Sequence, residues 1–231
     1  MSEEKLTQDI VEGMVTKMAR ELPYEKQKIF FLLLAERTFR CYKKHSEGKR
    51  WDCVEHLNQI IEDCWDYMIN GTEYDYMIAT RELYNDDDIT EEWESEMYGN
   101  SPEYVFDTND HSMFEYAPGN VTVLSEIVKN IYVTFAFLTR EGPHQRFGSG
   151  DYTINFTVIE EYVAEYYLDT NDEEYQKLLY EHPVTALEFE REKRDIEYLK
   201  QEDDLKKIYQ KYHFEMNESL LEDYWFEEEY L

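Results

Sequence analysis

The sequence predicts an all-α fold, a single-domain multi-helix bundle over residues 1–231 that carries an acidic irregular insert. Three observations lead there. Apolar residues recur at helical spacing through most of the chain. Pro23, Gly48, Asn70-Gly71, Gly119 and Pro183 fall where that periodicity stops or restarts. The formal net charge is -30, yet 42 % of residues are hydrophobic and 16 % aromatic, too many for a disordered acidic chain.

Leu6, Ile10, Val11, Met14, Met18 and Leu22 mark a first helix that Pro23 ends. A second starts near Tyr24 and carries Ile29, Phe30, Leu33, Leu34, Phe39 and Tyr42 until Gly48. A third, 51–69, runs through Val54, Leu57, Ile60, Ile61, Cys64, Trp65 and Met68 to the Asn70-Gly71 stop. A shorter helix is expected over 74–84, then short turns and irregular chain over 85–118, where Asn, Asp, Gly, Ser and Pro accumulate. An apolar helix is expected at 121–139, with Val123, Leu124, Ile127, Val128, Ile131, Phe135 and Leu138, followed by a loop at 140–150. For 152–168 the spacing of Ile154, Val158, Ile159, Tyr162, Val163 and Tyr166 favours helix over strand. Pro183 suits a first helical turn, and one long charged helix is expected from there to about Tyr212. Leu187, Ile196, Leu199, Leu205, Ile208 and Tyr209 line its inner side.

Charge is distributed unevenly. Residues 1–50 hold 11 bases and 8 acids, a net of +3, so residues 51–231 carry -33. No Lys or Arg lies between Arg81 and Lys129, a stretch that holds 13 Asp or Glu. Its aromatics include Trp93, Tyr98, Tyr104 and Phe106. A second acidic segment without bases closes the chain after Lys211. Unscreened negative charge threaded with rigid aromatics suits a surface that receives a basic protein and repels nucleic acid. The candidate partner-binding residues are Asp86, Asp87, Asp88, Glu91, Glu92, Trp93, Glu94, Glu96, Tyr98, Tyr104 and Phe106. Basic residues 43–50 read as internal counter-charge or as a self-association surface through which a homodimer would form. Arg37 beside Glu36, and Arg191 and Arg194 among Glu190, Glu192 and Asp195, read as ion pairs within the bundle.

The longest apolar run, 29–35, is too short to cross a membrane, and the charged amphipathic start does not resemble a signal peptide. Cys41, Cys53 and Cys64 are odd in number and read as reduced, mostly buried thiols. A cytoplasmic protein is the expectation. No metal, cofactor or catalytic residue is expected. Cys53 and His56 would share a helix face, but zinc needs further ligands at sensible spacing. The Asp86 and Asp169 runs lack the sixth-position glycine of a calcium loop, Glu91 and Glu174 standing there. The single Glu-x-x-His, Glu141 to His144, has a Gly-Pro centre that belongs to a loop, whereas di-iron bundles need two such motifs on helices. There is no nucleophile elbow, phosphate loop or dinucleotide fingerprint, so an enzyme is not expected.

Phe31-Leu32-Leu33-Leu34-Ala35-Glu36-Arg37 followed by Phe39 and Tyr42, then Ile60, Ile61 and Trp65, resembles the opening of a bacterial helical family typified by YjaG. His182-Pro183, Glu188-Phe189-Glu190 and Asp195-Ile196-Glu197 look like that family's C-terminal sequence. The insert 85–118 and the tail 213–231 depart from it. The family has no assigned activity, so the resemblance implies a helical fold and no chemistry. Three functional readings follow. The first is an immunity protein that binds and neutralises a cognate basic toxin of nuclease or deaminase type. The second is a DNA mimic that inhibits a restriction, CRISPR or other DNA-binding system. The third is an acidic helical protein of housekeeping function whose charge is only solvated surface.

Overall fold

The computed structural model describes residues 7–46, 53–72, 134, 154–166 and 172–221, and within these it is helical, without strands. The elements are α1 (Gln8–Arg20), α2 (Tyr24–Ser46), α3 (Cys53–Asn70), α4 (Ile154–Tyr166), α5 (Asp172–Glu181), α6 (Pro183–Gln201) and α7 (Leu205–Tyr209), which continues into a π-helical turn, Gln210–Glu215. The expected 74–84 helix, the 85–118 insert and the 140–150 loop lie outside the described residues. So does the expected 121–139 helix except Thr134, which is helical and buried.

Local chemistry accounts for the boundaries. Lys17 and Arg20 sit in the last turn of α1, where cations complement the helix dipole. Leu22 N–H then donates to the Ala19 carbonyl before Pro23 breaks the chain. Gly71 ends α3 with φ of 70°, a left-handed conformation that a glycine takes without Cβ strain, and its N–H donates to the Tyr67 carbonyl at 2.9 Å. His182 caps α6, its Nδ1 accepting from Val184 N–H at 3.2 Å, and Pro183 follows in the first turn.

The long charged helix expected from Pro183 to Tyr212 is interrupted. Glu202 leaves α6 in extended conformation, and Asp204 Oδ1 accepts from the Lys206 and Lys207 N–H groups to start α7. The cause is Glu202-Asp203-Asp204: three acids at a helix C-terminus oppose its dipole, whereas aspartate favours an N-cap. The expectation also lacks α5, a helix of ten residues whose apolar positions, Tyr175, Leu178, Leu179 and Tyr180, span little more than one turn. In α1 the stripe is shifted: Val11, Val15 and Ala19 are buried, whereas Met14 is exposed.

α2 is the central helix. Every residue from Lys28 to Phe39 is buried, so no face of that stretch meets water. It packs against α3 and α6, while α6 also meets α1, α4 and α5, and α7 lies on α3. One apolar cluster joins Phe30, Leu33 and Leu34 of α2 to Ile61 and Trp65 of α3, Val158 and Val163 of α4, Ile196 and Leu199 of α6, and Leu220 and Leu221. Each such side chain contributes roughly 1.5–3 kcal/mol on burial. The chain after the π-turn is pinned where Leu220 N–H donates to the Arg37 carbonyl at 3.2 Å. That contact brings the polar residues of α2 beneath the C-terminal segment.

Candidate functional site

A helix buried on all sides has no solvent-facing stripe, so the charged residues of α2 must find partners inside. Arg37 is 2 % exposed. α6 answers it with Glu188, Glu192 and Asp195, whose spacing places them on one helical face. Arg37 Nε and Nη2 donate to Glu188 Oε1 at 2.9 and 2.7 Å, and Nη1 donates to Asp195 Oδ2. Asn155 of α4 donates to the same Glu188 oxygen at 2.8 Å, tying three helices to one carboxylate. Asp195 Oδ1 accepts from the Tyr212 hydroxyl at 2.9 Å and from Arg194 Nη2 at 2.8 Å. Burial pulls the Arg37 pKa down, but Glu188 and Asp195 outweigh it and hold the guanidinium charged.

Arg191 and Arg194 extend this centre to the C-terminal segment. Arg191 Nη1 donates to the Ser219 carbonyl at 2.9 Å. Arg194 grips the Glu218 carboxylate through Nη1 and Nη2 at 2.6 and 2.7 Å, the planar fork that arginine makes and lysine cannot. Burial opposes the charge on Glu218, yet Arg194 overcomes it and holds that carboxyl below its ordinary pKa.

Glu36, one position before Arg37, points to a second node. Its Oε1 accepts from Trp65 Nε1 at 2.7 Å and meets His213 Nδ1 at 2.6 Å, while Oε2 accepts from Arg40 Nη2 at 3.1 Å. His213 Nε2 faces Glu62 Oε1 at 2.9 Å, and the Tyr209 hydroxyl donates to Glu62 Oε2 at 2.9 Å. With Glu36 and Glu62 at its two nitrogens, the imidazole sits where negative charge favours the cation. Burial works against that charge, but the Glu36 bond and the charges of Glu36 and Glu62 raise the His213 pKa overall. Tyr209 stacks on His213 at 5.0 Å and tilts against Trp65 at 5.2 Å. The π-turn that presents His213 carries the i+5 bond from Met216 N–H to the Lys211 carbonyl.

The expected ion pairs are therefore present, with their partners now defined. Arg37 reaches across to α6, Arg194 pairs with Asp195 and Glu218, and Arg191 lies 3.9 Å from Glu188. Glu190 faces outward and pairs with Lys193. Glu192 is wholly buried, and neither of its oxygens has a hydrogen-bond donor. Asn155, Glu62 and His213 carried no sequence signal as site residues, because nothing local links residues on different helices. The Glu36-Arg37 pair inside an apolar run did carry one.

Lysines follow the same pattern. Lys26 meets Asp203, Lys28 meets Glu25, and Lys200 meets both Glu21 and Glu197. A shallow cavity of about 390 Å³ is lined by Tyr198, Lys206, Lys207, Gln210, Lys211 and Glu215. Around it Lys207 is 3.8 Å from Glu202, and Lys211 lies 3.4 Å above the Tyr198 ring. Basic groups of the bundle are thus largely engaged by its own acids and aromatics.

The sequence-predicted partner-binding residues Asp86, Asp87, Asp88, Glu91, Glu92, Trp93, Glu94, Glu96, Tyr98, Tyr104 and Phe106 lie outside the described residues. No described helix is long and apolar enough to cross a membrane. Compared with known proteins, the chain matches no family model, no curated protein and no solved structure.

Proposed function

We propose that this protein is an acidic binding protein that neutralises a basic partner, and specifically an immunity protein against a bacterial toxin of nuclease or deaminase type. The observation that carries this reading is the run between Arg81 and Lys129, with 13 acids, no base and interleaved aromatics. Toxins that act on nucleic acid hold phosphates with Lys and Arg, so an acidic surface is complementary to the same cleft. Trp93, Tyr98, Tyr104 and Phe106 would serve as anchors, and the flanking carboxylates as steering charge. The helical bundle supports the reading from the other side. Among the described residues, Arg37, Arg40, Arg191 and Arg194 are engaged in ion pairs with the bundle's own acids.

The test is purification of the tagged protein from its native host at low salt, with mass spectrometry of what co-elutes. One stoichiometric basic partner is expected, with an association rate that falls as salt rises. E91Q, E92Q, E94Q and E96Q combined should slow association by roughly an order of magnitude at low salt and change dissociation far less. Equal binding to many unrelated basic proteins would sink the proposal. Recovery of a restriction, CRISPR or polymerase component, displaced from duplex DNA by this protein, would move it to DNA mimicry.

A further inference from the structure

The buried centre around Arg37 has more acid than base. Arg37, Arg191 and Arg194 face Glu188, Glu192, Asp195 and Glu218, three positive charges against four negative, a net of -1. The surplus is localised by the hydrogen bonds. Guanidinium donors of Arg37 go to Glu188 Oε1 and Asp195, those of Arg194 to Asp195 and Glu218, and Arg191 Nη1 to a backbone carbonyl. Glu192 is 0 % exposed, and both its oxygens, together with Glu188 Oε2 and Asn155 Oδ1, are buried without a donor. Glu188 and Glu192 are both buried and one helical turn apart on α6, a spacing at which side chains on one face meet. Arg191 Nη1 lies 3.9 Å from Glu188 Oε2, beyond hydrogen-bond distance, so these acceptors lack a donor at the side that Arg37 does not reach.

We infer that Glu192 is a neutral carboxylic acid whose proton is donated to Glu188 Oε2, so that the pair holds one proton as an internal bond between successive turns of α6. The added proton brings the centre from -1 to zero. It also leaves Glu188 ionised toward Arg37, with Oε1 engaged by Arg37 of α2 and Asn155 of α4 and Oε2 left to accept the Glu192 proton. A metal cation on these oxygens would sit against the Arg37 guanidinium, and among the described residues no three His, Cys, Asp or Glu are placed to hold one. Each neighbouring element agrees. α2 presents Arg37, α6 itself presents Glu188 and Asp195, and α4 presents the uncharged Asn155. Among the described side chains, those buried on α1 are Val11, Val15, Thr16 and Ala19, and on α5 Leu179 and Tyr180, none of them charged. Burial first, then the charges of Glu188 and Asp195 against the opposing pull of Arg37, push the Glu192 carboxyl well above its ordinary value.

The consequence is a proton-linked lock of α6 on α2 and α4. The native state holds a proton that the unfolded chain releases above a pKa of about 4.3. The contribution is fully present below that value and is lost as pH rises toward the folded pKa. The folded-to-unfolded ratio should therefore fall about tenfold per pH unit through this window, an effect carried by one residue. E192Q replaces the acid with a permanent neutral donor of the same shape.

The test compares urea unfolding of the full chain and E192Q from about pH 5 upward, a window that opens above the pKa of free glutamate and closes where folded Glu192 titrates. The variant should gain on the wild type by about tenfold in folded-to-unfolded ratio for each pH unit. Infrared spectroscopy of the wild-type protein at about pH 6, above the pKa of free glutamate, should show the carbonyl stretch of a protonated carboxylic acid, a band missing from E192Q. The infrared measurement stands even where the variant does not fold. Parallel stability curves, or a wild-type spectrum without that band, would overturn the inference. A bound metal found by elemental analysis together with an absent band would replace the proton with a cation.

Discussion

Arg37→Met tests the ionic centre most directly, because methionine keeps much of the side-chain volume and removes only the charge and its donors. Glu188 then keeps the Asn155 amide at 2.8 Å, and its nearest remaining guanidinium is Arg191 at 3.9 Å. Asp195 keeps Arg194 and the Tyr212 hydroxyl. The damage therefore concentrates on Glu188, a carboxylate with 0 % exposure whose charge loses its guanidinium and keeps only neutral donors in contact. Breaking a buried pair in this way costs about 3–5 kcal/mol. For a domain of this size each kcal/mol lowers Tm by roughly 2–4 °C, so a fall of roughly 6–20 °C is expected by calorimetry. The double variant R37M/E188M removes the stranded charge as well and should recover at least about 1 kcal/mol of that loss, the coupling expected of contacting residues. A single variant within about 0.5 kcal/mol of wild type, the range of an ordinary surface change, would refute a buried ion pair at this site.

The remaining predictions concern other parts of the bundle. His213 has a raised folded pKa, so its contribution is fully present below the unfolded value of about 6.5 and is lost as pH rises through the folded one. H213Q should flatten that part of the stability-pH curve, and because Glu192 contributes a trend of the same sign, the comparison is made in an E192Q background. Trp65→Ala removes a fully buried ring and the bond to Glu36, and should cost about 3–5 kcal/mol in chemical denaturation, whereas Trp65→Phe should cost about 1–3. Asp204→Ala loses the cap on two N–H groups of α7 and should cost about 0.5–2 kcal/mol, with hydrogen exchange faster at Lys206 and Lys207. Burial pushes the Cys41 thiol up to about 12 and that of Cys64 well above its ordinary value, so both should resist alkylation in native protein and react on unfolding.

The pinning of the C-terminal segment explains why these perturbations are expected to reach beyond their own helices. Leu220 and Leu221 are wholly buried, Leu220 bonds to the Arg37 backbone, and Arg191 holds the Ser219 carbonyl. Loss of the Arg191 guanidinium loosens the segment that carries Glu218, and with it the bidentate clamp to Arg194.

Helix positions were largely legible in the sequence because their causes are local. The 3.6-residue periodicity of α2, α3 and α4, the Asn70-Gly71 stop and the Pro183 start need no knowledge of distant residues. The break at Glu202 to Asp204 is local too, yet it was outvoted by the apolar spacing that continues through Leu205 and Ile208. Pairing was different. That Arg37 and Glu36 needed internal partners follows from an apolar run with charge inside it. That the partners are Glu188 and Asp195 for one, and Trp65, Arg40 and His213 for the other, depends on how α2 crosses α6 and α3. A buried charge selects its neighbour by distance and geometry in a low-dielectric interior, and those separations, over 100 residues apart for Glu188 and Asp195, exist only once the helices have packed. The sequence by itself determined the helical class, the excess of negative charge and the need for internal counter-charge. Tertiary packing alone decided which carboxyl is left without a guanidinium, and so where the centre has room for a proton.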